Sequence, residues 1–394
     1  MKKARNQIQQ SLFILLGVFI PTSVAITNFI ILLLALCWIH EGNFKSKFES
    51  LKSSKWILSI IVLIGLYGLG MLWGENHLNA GWQFERLALL FVFPILLSMQ
   101  LKQETIKSAV VAFLGIAFIS AVLSILISNK IILPLGNYLS FISMSPKLSV
   151  FIQYNYHNVI LAFATILALY VLVEHKTKFS YLLLLFIAVY TFSIFTERGR
   201  AGQVIYTLSA VFYILFYNRR HLLRLVSLLF LLFSFQYIIY KSTNVYKKRL
   251  DATFYVIENI GDTGEVKLEN IRYVFLKESL KRIMENPFLG YGTGSFGTIF
   301  ENEVKSGHHF NKHTTPHNQY IYVWFELGIL GLILLLSIFY YQIKELFKKQ
   351  NGTHRILLPL SFMFLMLVDS YFFIFTITIC YIFLYTIFTK YQYE

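Results

Sequence analysis

The sequence predicts an all-α polytopic membrane protein with about twelve transmembrane helices and one large outer segment between spans nine and ten. Hydrophobic residues make up 56% of the 394 residues and charged residues only 14%. A soluble chain of this length could not bury so much apolar surface. Apolar runs of about 20 residues, the length that crosses a bilayer, recur along the chain. Lysine and arginine are concentrated in the short segments between these runs.

The apolar runs define the spans in order. Residues 8–40 are too long for one span and are broken at Pro21, which predicts two short helices joined by a tight turn. Residues 74–83 are polar and are expected to form a loop. The remaining spans are expected near 56–73, from Phe84 past Pro94, and near 105–128, 156–173, 179–195, 203–217, 221–240 and 318–340, with two more in 356–388 that turn near Asp369.

The positions of the basic residues predict the orientation. With the N-terminus inside, most Lys and Arg fall in the inner loops, as the positive-inside rule requires. The segment 241–316 then lies outside, which in a bacterium is the periplasm. The expected parts are helices one to nine in 1–240, a periplasmic loop domain with an amphipathic helix in 241–316, and helices ten to twelve in 317–394.

The net charge of +15 does not indicate nucleic-acid binding. Most of the basic residues orient the membrane helices, and no soluble segment combines a basic run with interleaved stacking aromatics. We therefore expect membrane lipids among the partners and no nucleic acid.

Residues 196–202 join spans seven and eight at the outer boundary and contain Arg198 and Arg200 beside two glycines. Arginine presents a planar, charged fork that matches phosphate oxygens, and glycine lets the backbone approach a ligand. The alternative is that Arg198 pairs with Glu197, or that both arginines reach into lipid headgroups.

Residues 270–284 predict an amphipathic helix in the outer segment, capped by Asn270 and ended by Pro287. Arg272 lies in its first turn, where the helix dipole does not favour a cation, so a separate anionic partner is expected. A lipid pyrophosphate and a structural carboxylate are the two alternatives. The expected buried stripe is Ile271, Phe275, Ile283 and Met284. The glycine-rich turn that follows contains Gly290, Gly292 and Gly294, lacks the P-loop ending, and is expected to be a flexible turn that shapes the site.

His317 stands where the polar segment ends and an apolar helix begins. We expect this imidazole at the wet end of the helix, on a face whose deeper glycines allow a neighbouring helix to approach closely. The other residues assigned to that face are Ile321, Trp324, Gly328 and Gly331.

A histidine cluster precedes this helix and raises the alternative of a zinc site. Its members are His308, His309, His313 and His317. Thr314-Thr315-Pro316 interrupts any helix through the cluster, and no Cys or carboxylate completes a ligand set. We therefore expect no metal and one catalytic histidine, His317.

Two further polar sites have weaker signals. His157-Asn158 repeats the His-Asn dipeptide but lacks the following glycines, so it is interpreted as an interfacial anchor. Asp369 is an acid within the apolar tail and therefore a functional candidate, although water can reach the outer end of its span.

His317-Asn318, nine residues and then Gly328-Ile329-Leu330-Gly331 resemble the signature of the O-antigen ligase family, which shares its fold with the O-antigen polymerases. Residues 196–202 and 270–296 also resemble the family. In the first segment, Glu197-Arg198 replaces the Ser-Arg or Thr-Arg pair of the family, which leaves open whether Arg198 or Arg200 is the counterpart. Glu85-Arg86 resembles a charged position of the family more weakly, and Arg86 either assists substrate phosphate or anchors the helix.

The resemblance implies an inverting, metal-independent glycosyltransferase without a cofactor, facing the periplasm from the bacterial inner membrane. Its donor is a glycan on undecaprenyl pyrophosphate, bound by Arg198, Arg200 and Arg272, and His317 is the general base. Lipid A–core as acceptor makes it an O-antigen ligase in lipopolysaccharide biosynthesis, whereas a lipid-linked repeat unit makes it a polymerase. The signature spacing favours the ligase. A lipid or anion transporter is the remaining alternative, but it predicts two related halves with charges near the midplane.

Overall fold

The computed structural model describes residues 2–52, 54–133, 150–174, 180–258, 271–304, 315–349 and 352–391. These residues form helices joined by turns, with two short 3₁₀ segments at Ala88–Phe91 and Tyr371–Phe373. The α-helices of the N-terminal half are α1 (Lys2–Phe19), α2 (Val24–Glu41), α3 (Phe44–Lys52), α4 (Lys55–Gly70), α5 (His77–Leu87), α6 (Val92–Ser98), α7 (Gln103–Ser128), α8 (Tyr154–Glu174) and α9 (Ser180–Thr196). Those of the C-terminal half are α10 (Arg200–Asn218), α11 (Leu222–Ser242), α12 (Asn244–Glu258), α13 (Ile271–Glu285), α14 (Ser295–Val304), α15 (Gln319–Phe347), α16 (Gly352–Arg355), α17 (Leu357–Met366) and α18 (Phe375–Lys390).

A helix occupies every position at which the sequence predicts a span, and the protein is a multi-pass membrane protein. Within the described ranges, six helical stretches are long and apolar enough to cross a bilayer, or seven if α3 and α4 form one bent span. The stretches are Val24–Glu41, His77–Ser98, Gln103–Ser128, Tyr154–Val173, Leu222–Ser242 and Gln319–Phe347. The α9 and α18 helices are apolar but shorter. The full number of twelve crossings and the outer placement of 241–316 remain predictions.

The core of the bundle is built around α18. Residues 375–388 of this helix are all buried, which follows from a sequence that is apolar on every face. The α8 helix is buried almost as completely, whereas α11 is exposed along nearly its whole length. Two rings of α18 contact rings of neighbouring helices, Phe383 with Phe13 at a tilt and Phe388 with Tyr170 edge to face. At the end of α18, buried Arg355 donates to the carbonyl oxygens of Phe388 and Tyr391, which the helix itself leaves unpaired.

The polar stretch 74–83 is mostly helical, so its assignment as a loop was wrong. Asn76 caps α5 by accepting a hydrogen bond from the backbone N–H of Asn79, and the helix begins at His77 rather than at Phe84. A polar sequence can form this helix because its buried side chains, among them Gln83, find hydrogen-bond partners inside the bundle.

The α15 helix is interrupted at Gly328, which has the positive φ of 64°. The predicted single face from His317 to Gly331 was therefore wrong. His317 precedes the helix with a φ of 52°, and the interruption separates Gly328 from the helical register of the first turns. The glycine is required here because its conformation is one that L side chains rarely adopt.

Candidate functional site

The imidazole of His317 is paired with the carboxylate of Asp369. Nδ1 of His317 donates to Oδ1 of Asp369 at 3.0 Å, and the backbone N–H of Ser370 donates to the same oxygen at 2.8 Å. Both side chains are 27% exposed, so the pair lies at the edge of the protein interior rather than in its core. Because a carboxylate only accepts hydrogen bonds, Nδ1 carries the proton and Nε2 carries the lone pair of the neutral ring.

The charge state of Asp369 is adapted to this pairing. Burial by itself raises the pKa of the Asp369 carboxyl, but the hydrogen bonds from His317 and from the backbone N–H of Ser370, together with the positive charge of Arg272, hold the pKa below its usual value. The carboxylate is therefore ionised at neutral pH. It fixes the ring tautomer and stabilises an imidazolium if His317 accepts a proton.

The start of α15 positions His317. Oδ1 of Asn318 accepts hydrogen bonds from the backbone N–H groups of Tyr320 and Ile321, which makes Asn318 the N-cap of the helix. Its amide also donates to the carbonyl oxygen of Leu367, two residues before Asp369. The His-Asn dipeptide thus places the imidazole ahead of the helix and ties the helix start to the segment that carries its carboxylate.

The glycine-rich turn packs against the interruption of α15. The backbone N–H groups of Tyr291 and Gly292 donate to the carbonyl oxygens of Phe325 and Glu326 at 2.9 and 2.8 Å. The N–H of Ile329 donates to the carbonyl oxygen of Pro287 at 2.9 Å. These bonds replace helical bonds that the backbone loses at Gly328, as irregular backbone inside a membrane protein requires.

At each glycine of this turn, neighbouring backbone lies in the space that a side chain would need. Gly290, Gly292 and Gly294 all have positive φ, and added Cβ atoms would crowd the backbone of α15, of Gly74 and of Ala80, respectively. The turn is buried and closely packed between α4, α5 and α15. Its role in shaping the site and its flexibility both stay predictions.

Glu326, which the sequence analysis passed over, holds the same turn from within α15. Its side chain is fully buried, and Oε1 accepts hydrogen bonds from Nε2 of Gln83 at 2.9 Å and from the N–H of Gly294 at 3.1 Å. A signal was available, because an acid inside an apolar span is a functional or structural candidate by default.

A cavity of about 370 Å³ lies beside the N-terminal end of α10 and is lined by three arginines, Arg200, Arg249 and Arg272. Partial burial, together with the positive charges of Arg272 and Arg249, lowers the pKa of the Arg200 guanidinium. Within the described ranges, no carboxylate lies within ion-pair distance of any of the three. Arg200 donates to the hydroxyl of Thr253 at 3.0 Å, which links α10 to α12.

The remaining wall of this cavity is largely apolar and includes Val204, Leu208, Leu250 and Val368. Guanidinium groups next to an apolar wall suit an anion that carries a hydrocarbon chain. Arg249 has no distinguishing signal in the sequence, because the basic run 247–249 is typical of a solvated helix face. Only the packing of α12 against α9 and α11 brings this arginine to the cavity.

Arg272 connects the arginine cavity to the His317–Asp369 pair. It lines the cavity, and its charge acts on both Arg200 and Asp369. One turn further along α13, the ring of Phe275 contacts the ring of His317 with centroids 6.0 Å apart. The arginines and the imidazole, which are distant in sequence, thus belong to one constellation.

The predicted helix around Arg272 is confirmed as α13, and Pro287 follows its end. Phe275 and Ile283 are buried as predicted, but Met284 is 72% exposed, so its assignment to the buried stripe was wrong. At about 100° per residue, Met284 lies on the opposite face of α13 from buried Phe275. Asn270, the predicted cap, lies outside the described residues.

The 196–202 turn separates the two candidate arginines. Arg200 lines the cavity, whereas Arg198 is exposed and does not. Glu197 does not form an ion pair with Arg198, because its carboxylate turns inward to Nδ1 of His157 at 3.4 Å.

His157 and Asn158 are fully buried, so their interpretation as an interfacial anchor was wrong. Nε2 of His157 lies 2.9 Å from the hydroxyl of Ser120, and the amide of Asn158 donates to the carbonyl oxygens of Ile194 and Gly199. The dipeptide therefore holds the 196–202 turn in place from within the bundle. Its position in the sequence alone does not indicate this role.

Arg86 lies near Tyr156, as Asp369 does. Its guanidinium lies over the ring of Trp82, 5.5 Å from the centroid, and both Arg86 and Asp369 act electrostatically on the hydroxyl of Tyr156. Arg86 does not line the arginine cavity. This position is compatible with either of its predicted roles.

No group of three or more His, Cys, Asp or Glu side chains is arranged to hold a metal ion in the part of the chain that the structure describes. The predicted histidine cluster cannot be judged from this, because His308, His309 and His313 lie outside the described residues.

Residues 179–336 match a family model described as O-antigen ligase. No match to the chain was found among curated proteins. The matched segment contains the three arginines of the cavity, the glycine-rich turn and His317, whereas Arg86 and Asp369 lie beyond it. The family resemblance seen in the sequence is thereby confirmed, and it indicates an activity of the O-antigen ligase or polymerase type on lipid-linked glycans.

Proposed function

We propose that this protein, with its O-antigen ligase family segment, transfers a glycan from undecaprenyl pyrophosphate to an acceptor hydroxyl at the periplasmic face of the bacterial inner membrane. The observation that carries the proposal is the constellation of one arginine cavity and the His317–Asp369 pair, joined by Arg272. The cavity supplies anion binding, and the pair supplies a base.

The donor fits the cavity by its chemistry. The pyrophosphate is held by Arg200, Arg249 and Arg272, and the polyprenyl chain leaves along the apolar wall of α10 and α12. Of Arg198 and Arg200, we assign Arg200 as the counterpart of the family's functional residue, because it lines the cavity and Arg198 does not. Arg86 is assigned to the acceptor side, near Tyr156.

The transfer is a direct displacement at the anomeric carbon. The acceptor oxygen forms a bond to C1 while the bond between C1 and the pyrophosphate oxygen breaks, and its electron pair leaves with the pyrophosphate. The three guanidiniums stabilise the negative charge that grows on this leaving group. The hydroxyl proton passes to Nε2 of His317, and Asp369 stabilises the resulting imidazolium. The anomeric configuration is inverted, and no step needs a metal or a cofactor.

We favour lipid A–core as the acceptor, which makes the enzyme an O-antigen ligase. The polymerase alternative differs only in using a lipid-linked repeat unit at the acceptor side. Deletion in the native host separates the two. Lipid-linked polymer that accumulates without attachment supports the ligase, whereas accumulation of single repeat units supports the polymerase.

The direct test is transfer in vitro by the purified protein, with both acceptors offered and EDTA present. We expect product with EDTA and its loss in His317→Ala. The matched control is His77→Ala, which removes an exposed histidine at the start of α5. Normal transfer by His317→Ala would exclude this histidine as the base, and the loss of transfer on adding EDTA would exclude a metal-independent reaction.

A further inference from the structure

The end of α15 opposite to His317 carries a second charged cavity, of about 530 Å³. It lies where the C-terminal end of α15 meets the N-terminal end of the antiparallel helix α4. The lining residues are Lys55, Tyr341, Lys344, Glu345, Lys348 and Lys349. The 29 residues of α15 span about 40 Å, more than the roughly 30 Å of a hydrocarbon core, so this cavity is at the other membrane face from His317.

The cavity is strongly cationic. It contains four lysines and one acid, and the acid is already engaged: Oε2 of Glu345 accepts from the hydroxyl of Ser54 at 2.9 Å and from the indole N–H of Trp56 at 2.8 Å. Among the described residues, no carboxylate lies within ion-pair distance of any of the four ammonium groups. The site therefore attracts an anion.

Membrane topology alone does not explain this convergence. Lysines near the C-terminal end of α15 are favoured by its dipole, and basic residues are favoured in inner loops. Lys55, however, is the first residue of α4, where the dipole disfavours a cation. An anion in the cavity compensates this cost and the mutual repulsion of the four lysines.

A strip of exposed apolar side chains leads along α15 to the cavity. Its members share one helical face with Lys344, and they are Leu330, Ile333, Leu336 and Tyr340. In a membrane protein, such a face lies against acyl chains. A ligand whose phosphate sits among the lysines could lay its hydrocarbon chains along this strip, which a soluble phosphate compound cannot do.

We propose that this cavity binds the headgroup phosphate of an anionic phospholipid, with the acyl chains along α15. Basic pockets between membrane helices are the known chemistry for such headgroups. The site is separate from the arginine cavity and does not depend on the proposed glycosyl transfer.

Native mass spectrometry of the detergent-solubilised protein tests the proposal with two lipids of identical acyl chains, phosphatidylglycerol and phosphatidylcholine. We expect phosphatidylglycerol to be retained preferentially. Equal retention of the two lipids by the wild type would overturn the proposal, and this comparison needs no variant. Displacement of bound phosphatidylglycerol by low-millimolar glycerol 3-phosphate would assign the cavity to a soluble phosphate and would also overturn it.

The site is located with the double variant Lys344→Gln/Lys348→Gln, which should weaken phosphatidylglycerol retention by about 30-fold. The matched control is Lys45→Gln/Lys52→Gln, which removes the same charge from α3 without touching the cavity. Lys344→Arg/Lys348→Arg keeps the charge and should retain the lipid, which separates loss of binding from misfolding. Unchanged retention in the glutamine variant would refute the assignment.

Discussion

Replacing Gly328 with alanine tests the physical basis of the interruption in α15. A Cβ atom at this position would overlap the carbonyl group of Phe288, and the φ of 64° is strained for any L side chain. The strain costs about 1–2 kcal/mol. The overlap forces the turn away from α15 and breaks up to three backbone hydrogen bonds, those donated by Tyr291, Gly292 and Ile329, at about 1 kcal/mol each.

The sum is about 4 kcal/mol, which corresponds to a fall in the thermal unfolding midpoint of about 8 °C. The assay is thermal unfolding of the purified protein in detergent, followed by intrinsic tryptophan fluorescence. The control is Gly65→Ala in α4, where nothing lies within 4 Å of the added Cβ and the helix geometry suits alanine. We expect this control to be neutral or slightly stabilising.

The reasoning would be refuted if Gly328→Ala unfolded at the wild-type temperature. That result would mean that α15 can continue as a regular helix through this position, in which case the glycine-rich turn is not needed to complete its hydrogen bonding.

Three further outcomes are expected. Asp369→Asn should lower transfer at neutral pH about 100-fold or more, because an amide cannot stabilise the imidazolium of His317. In the wild type, the pKa of Asp369 is lowered in the folded state, so the contribution of the pair to thermal stability should be constant above about pH 4 and should disappear as the pH falls further. The variant should not show this pH dependence. In initial-rate kinetics, Arg249→Gln should raise KM for the lipid-linked donor about 10-fold or more, whereas Arg198→Gln, outside the cavity, should change it less than about 3-fold. Asn318→Ala should cost about 1 kcal/mol of stability through loss of the helix cap, seen as a lower unfolding midpoint, and an unchanged midpoint would contradict that role.

The sequence predicts the positions of the helices well because they depend on a local property. A run of about 20 apolar residues is helical in a membrane whatever surrounds it. The prediction fails where the helix depends on tertiary partners. The start of α5 is polar, and its Gln83 is buried because the hydroxyl of Tyr322 and the carboxylate of Glu326 are there to accept its hydrogen bonds.

The residues of the candidate site likewise fall into those with a local signal in the sequence and those that depend on tertiary partners. His317 and Arg272 were accessible from the sequence because each stands beside a local marker, a helix start or a family motif. Arg249 was not, because its neighbours in sequence are ordinary surface lysines. The partnership of His317 with Asp369 was also missed, since it joins residues 52 positions apart through a turn whose geometry no spacing rule specifies.

The burial of α18 has a consequence for biogenesis. The ribosome makes this helix after the other helices that the structure describes, yet it lies in the core of the bundle. Until α18 is inserted, lipid tails must fill the space between the earlier helices, and α18 then has to displace them. A nascent chain stalled before Phe375 would therefore expose its interior to the quality-control proteases of the membrane.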